Sequence, residues 1–154
     1  MLPLKIVFTL FLSIWLGQTV FLSLVAAPVL FGNLPLHDAG NVMTLLFPWY
    51  YRVGYLCGVV VLGAAMYLWR RAAPPRGGWL AIAGLAGLGL AGCLYAGGVV
   101  QPRAHEVRAQ VRREATPGAA KVEFDRLHEL AVRLNGGVLL ATLAIAGVAA
   151  SRLR

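Results

Sequence analysis

The chain has 154 residues, 59% of them hydrophobic and only 13% charged, with a mean hydropathy of +0.72. A soluble domain carries roughly 25% charged residues, so this composition excludes an ordinary globular protein and points to the bilayer. The net charge of +8 could suggest nucleic acid. Many of the arginines, however, end apolar runs, and no basic stretch is interleaved with aromatics, so no nucleic-acid partner is expected.

At roughly 20 residues per span, the length accommodates four spans and their connections as one unit over 1–154. The first span is predicted over about residues 6–31. A signal-peptide reading is opposed by the length of the run and by Pro28 directly after VAA. The second helix is predicted over 39–71, with Asp38 as its N-cap. Pro48 lies inside it, so residues 39–47 are expected as an interfacial turn or kinked lead-in, with the membrane part at 50–69. RRAAPPRGG is a tight connection to the third span, 78–98, which continues as a helix beyond Pro102 and outside the bilayer. TPG at 116–118 makes the next turn. The fourth helix runs over about 119–151, with its membrane part at 130–151.

The expected fold is therefore all-α: an integral membrane, antiparallel four-helix bundle whose helices three and four extend beyond the bilayer on one side. Both termini and the 70–77 loop share the other side and carry six lysines and arginines with no acid. The 32–49 loop has none, which favours termini in the cytoplasm, although the basic 101–123 connection argues the opposite way. The cytoplasmic membrane of a bacterium is the expected location. On either orientation His37, His105 and His128 lie at one end, together with Asp38, Arg52, Gln101, Arg103 and Glu106.

Small residues spaced by four should bring the helices together. Candidate lines are Thr9–Ser13–Gly17, Gly54–Gly58, Ala83–Gly87–Ala91, Gly89–Cys93–Gly97 and Thr142–Ala146–Ala150. Cys57 and Cys93 lie at similar depth, as packing residues or as a soft-metal thiolate pair. LFPWYYR, residues 46–52, reads as an interfacial aromatic belt or as a set of rings on which a ligand stacks. GLGLAG, 87–92, has the letters of a dinucleotide fingerprint, but lies mid-span where no strand-to-helix turn forms. No P-loop, HExxH or GxSxG is present, and nothing in the sequence specifies an enzyme or a cofactor.

The chemistry-bearing stretch is FDRLHELAVRLN, 124–135. At 100° per residue, Asp125, Arg126, Glu129 and Arg133 cluster on one wet face. His128, Asn135 and Thr142 line up on another and are expected to point into the bundle. Polar groups at that depth need partners, and Gln18, Arg52, Gln101 and Arg103 are the candidates. The cluster either fixes helix register or holds a ligand, with His37, His105 and His128 as candidate metal ligands.

Four stretches in order, WLGQTVFLSLVAAPVLF (15–31), AGNVMTLLFPWYYR (39–52), QPR (101–103) and FDRLHELAVRLN (124–135), make the chain resemble the transmembrane protein 205 family. Its bacterial members carry only a domain of unknown function. The resemblance implies a compact four-helix membrane protein with Gln18, Pro28, Pro48, Tyr50, Pro102, Arg103, His128 and Asn135 as motif residues. Three functions compete. The first is handling of a metal ion or small ligand at the polar cluster. The second is a scaffold that binds lipid, a partner protein or a second copy through its small-residue faces. The third is a haem-linked redox protein, for which only His128 approaches a span.

Overall fold

The computed structural model describes residues 2–113 and 118–152, which form four long helices: α1 (Leu2–Asn33), α2 (Leu36–Arg71), α3 (Gly77–Val111) and α4 (Ala119–Ala150). Each is long and apolar enough to cross a bilayer, and no strand occurs among the described residues. The expected all-α membrane bundle is what the chain forms. The turn expected at 116–118 falls largely outside the described residues.

Packing follows the order of the chain. α1 lies against α2 and α4, and α3 lies against α2 and α4, so consecutive helices are neighbours and the last closes on the first. Short connections at residues 34–35 and 72–76 make the first three antiparallel. Trp15, fully buried, sits at the centre of the main core with Phe8, Cys57, Val61, Ile82 and Ile145. Glycines let it sit there: a Cβ at Gly58 would lie 3.2 Å from the indole, and one at Gly89 3.1 Å. A second core nearer the extended end holds Leu22, Ala26, Met43, Tyr50, Tyr51 and Ala96. Outward side chains such as Leu24, Leu88 and Leu140 are exposed leucines of the kind that face lipid.

Only some of the expected small-residue lines do the packing. Gly54, Gly58 and Gly89–Cys93–Gly97 are interior, and a Cβ at Gly97 would overlap the Tyr51 ring and the Tyr55 hydroxyl. Gly17 and Gly87, by contrast, have open space around them, and Thr9, Ser13 and Ala91 are exposed. Spacing identifies a smooth line on a helix, but not whether protein or lipid covers it.

Three prolines shape the upper end. Proline lacks an N–H and its ring presses on the carbonyl four residues back. In α1 a π-helical turn at Phe21–Ala26 precedes Pro28, and in α3 another at Ala96–Val100 precedes Pro102. Each widens the ladder by one residue where the regular bond is lost. α2 responds differently: it stays helical through Pro48 from Leu36 onward. The lead-in at 39–47 is therefore neither a turn nor a loop. Nor does Asp38 cap it, since Pro35 occupies the N-cap and Asp38 lies within the first turn. At 36 residues, α2 is roughly 54 Å long, so its start projects past a hydrocarbon core of about 30 Å alongside the extensions of α3 and α4.

A candidate polar site inside the bundle

Tyr50 of α2 donates a short hydrogen bond from its hydroxyl to Asn135 Oδ1 of α4. These helices are diagonal in the bundle, so the bond crosses its interior. Asn135 Nδ2 in turn donates to Ser23 Oγ of α1 at 2.7 Å, within the π-helical turn. Thr19 Oγ1 lies 3.5 Å from the Tyr50 oxygen and donates to the Trp15 carbonyl at 2.8 Å. The junction thus ties α1, α2 and α4 at one level. Beside it is a cavity of about 10 Å³ walled by Tyr50, Tyr51, Cys93, Ala96 and Asn135, room for a single water-sized occupant.

One turn deeper a second set of polar atoms converges on Gly54. A Cβ placed there would stand 3.3 Å from Gln18 Nε2, 3.6 Å from Cys93 Sγ and 3.8 Å from Trp15 Nε1. The glycine therefore leaves a notch about one heavy atom wide. Gln18 Nε2 is buried without a hydrogen-bond partner among the described residues, and the buried Trp15 indole N–H has only the weakly accepting Cys93 sulfur beside it. An unsatisfied buried donor costs about 1–3 kcal/mol, and native proteins keep few of them.

The expected site residues divide sharply. Gln18 and Asn135 are at the interior site. Arg52 is exposed and lies over the Trp49 ring, with its guanidinium carbon 5.1 Å from the ring centroid. Those two residues form the outward edge of the expected aromatic belt, whereas Tyr50 and Tyr51 turn inward. Gln101 is half-buried at the head of the α3 extension. Arg103 is exposed and donates to Glu123 at 2.9 Å and to Glu106 at 3.4 Å, linking the α3 and α4 extensions. The Glu123 and Glu106 carboxylates hold its guanidinium above its usual pKa.

His128 does not point into the bundle: it is exposed and stacked on Phe124 at 6.4 Å. Beyond its π-helical turn, α1 buries none of Ala27–Asn33, so α4 loses its cover two turns above Asn135. Thr142 is fully buried, but its hydroxyl donates within its own helix, toward the Val138 and Leu139 carbonyls. His37 and His105 are likewise exposed. No three His, Cys, Asp or Glu side chains gather into a metal-binding group among the described residues.

Trp15, Thr19, Ser23, Cys93 and Arg108 join the picture beyond the expected set. Trp15, Thr19 and Ser23 follow one another at four-residue spacing, a line on α1 that the helical period contains. Arg108 is the missed clamp. It donates to the Gly40 carbonyl at 2.6 Å, Thr44 Oγ1 at 2.9 Å, the His37 carbonyl at 2.9 Å and Asn41 Oδ1 at 3.1 Å. Burial and neighbouring Arg112 lower its pKa. Its four bonds hold the α2 lead-in against α3 despite the missing amide of Pro48.

Fold and interior together define an integral membrane protein with a polar junction sealed inside a four-helix bundle. Residues 10–113 match the sequence model of a domain of unknown function, DUF4149, and the chain belongs to that family. The matched stretch covers most of α1 and all of α2 and α3, and so holds Gln18, Ser23, Tyr50 and Arg108, whereas Asn135 lies beyond it. Neither the curated proteins nor the solved structures contain a match.

Proposed function

We propose that this protein seats one oxygen of a small hydrogen-bond acceptor in the Gly54 notch, between the Trp15 indole and the Gln18 amide. The observation that carries the proposal is the buried Gln18 donor without a partner, converging with a Trp15 indole N–H that has only a sulfur beside it, where a Cβ is missing. The indole N–H donates and cannot ligate a cation, so the site favours a carbonyl, carboxylate or small anion over a metal ion. A haem between the helices is disfavoured, because His128 lies outside the bundle.

The proposal includes a single four-span unit in a bacterial cytoplasmic membrane with both termini inside, supported by the basic, acid-free pieces on that side. It also includes kinship with the transmembrane protein 205 family, supported by the four motif stretches, two of whose residues, Tyr50 and Asn135, share a hydrogen bond. The test is a thermal-shift series on the purified protein with formate, nitrate and formamide. At least one should raise the melting temperature of the wild type, and neither Gly54→Ala nor Gln18→Leu should respond. Equal responses in all three proteins would refute the assignment.

A further inference from the structure

On the outer surface α3 and α4 part to leave an apolar groove of about 590 Å³. Leu88 and Gly92 of α3 and Gly137, Leu140 and Ala144 of α4 line it, with Arg133 at its outer end. The glycines form its floor and the leucines its rims, with Leu88 72% and Leu140 69% exposed. From Leu130 to Ala144 it runs roughly 21 Å along α4. The groove is apolar along its length and ends at a cation, which suits the extended hydrocarbon chain of a lipid with a charged head group.

Its ends match a lipid as well. Arg133 lies 11 residues from Ala144, roughly 16 Å, about one leaflet of a hydrocarbon core of ~30 Å. The groove thus reaches from the head-group level to near the midplane. Arg133 spends one donor on Glu129 at 2.6 Å and keeps four, and its side chain is 75% exposed. Arg126, two turns farther out on the same face, is exposed and belongs to none of the ion pairs among the described residues. Glu129 is the acid on this stripe between them.

We propose that the α3–α4 groove is a binding site for one anionic glycerophospholipid, with an acyl chain between Leu88 and Leu140 and its phosphate on Arg133 and Arg126. This rests on the outer groove alone and is independent of the interior polar site.

The experiment is native mass spectrometry of the full chain after exchange into mixed micelles of equimolar dioleoylphosphatidylglycerol and dioleoylphosphatidylcholine. The wild type should retain one lipid per chain, the anionic one favoured by about thirtyfold, the factor that two interfacial arginines at about 1 kcal/mol each supply. Arg133→Gln should keep the lipid and lose most of the preference. Gly137→Leu should lose both lipids; the space beside Gly137 is open, so this variant folds, which an unchanged melting temperature would verify. Val59→Leu, on an exposed face of α2, should behave as wild type. Absence of retained lipid in the wild type, undiminished retention in Gly137→Leu, equal loss in Val59→Leu, or a lipid-free dimer would each overturn the proposal. An unchanged preference in Arg133→Gln would overturn the phosphate assignment.

Discussion

Tyr50 and Asn135, 85 residues apart in sequence, share a hydrogen bond across the diagonal of the bundle. In a ring of four helices neighbours pack through their flanks, and a diagonal bond requires two polar side chains to meet at the centre. It fixes the rotation of α2 and α4 about their own axes. Through Ser23 and Thr19 it fixes α1 as well.

Removing either partner should therefore loosen the fold. Asn135→Leu leaves Ser23 unpaired and the Tyr50 hydroxyl with only its longer contact to Thr19, and should cost about 1–2 kcal/mol of unfolding free energy, the scale of hydrogen bonds between membrane helices. Tyr50→Phe should cost less. A double-mutant cycle read by unfolding in mixed micelles should give a coupling of about 0.5–1.5 kcal/mol. Additive losses would mean that the two side chains act separately.

Arg108→Gln should free the start of α2. The four bonds it makes hold residues 37–44, and with Pro48 below them that segment has one regular helix bond fewer. Hydrogen exchange should accelerate at residues 36–47 and remain unchanged at 54–68. Gly40→Ala should act in the same direction more weakly, because its Cβ would stand 2.5 Å from the flexible end of Arg108.

His128→Ala should be close to silent, shifting stability by less than about 0.5 kcal/mol, because the ring is exposed and stacks on Phe124 alone. Ligand-induced thermal shifts should persist in this variant. Their loss would return His128 to the site.

Glycine substitutions should separate packed faces from lipid faces. Gly97→Leu drives a side chain into the Tyr51 and Tyr55 rings and should prevent assembly of the bundle. Gly87→Leu, with open space around its position, should fold normally. Size-exclusion profiles and melting temperatures of the two purified variants distinguish these outcomes.

The four spans, their antiparallel order and the extensions of α3 and α4 were all legible from apolar run length and charge, because bilayer thickness leaves few alternatives. So was the interior place of Gln18 and Asn135. His128 was misread for a specific reason. It shares a line on α4 with Asn135, seven residues away, and the helical period reports shared lines without reporting where the neighbouring helix stops. α1 leaves that line uncovered above its π-helical turn, a departure set by Pro28 and visible only once the helices are assembled. Arg108 was obscure because its partners are mostly backbone carbonyls, which no side-chain pattern announces. The lead-in of α2 was misjudged because Pro48 normally weakens a helix and nothing in local sequence shows the clamp that compensates.

Trp15 and Gln18 are proposed to present their N–H groups to a small acceptor at Gly54, and side-chain NMR reads those groups directly. In ¹⁵N-labelled protein in nanodiscs, titration with whichever of formate, nitrate or formamide stabilises the fold should shift the Trp15 indole and Gln18 amide resonances saturably and in step. The indoles of Trp49, Trp69 and Trp79 should stay still, and Gly54→Ala should abolish the response. Motionless Trp15 and Gln18 signals, or a drift shared by all four indoles, would rule out binding at Gly54.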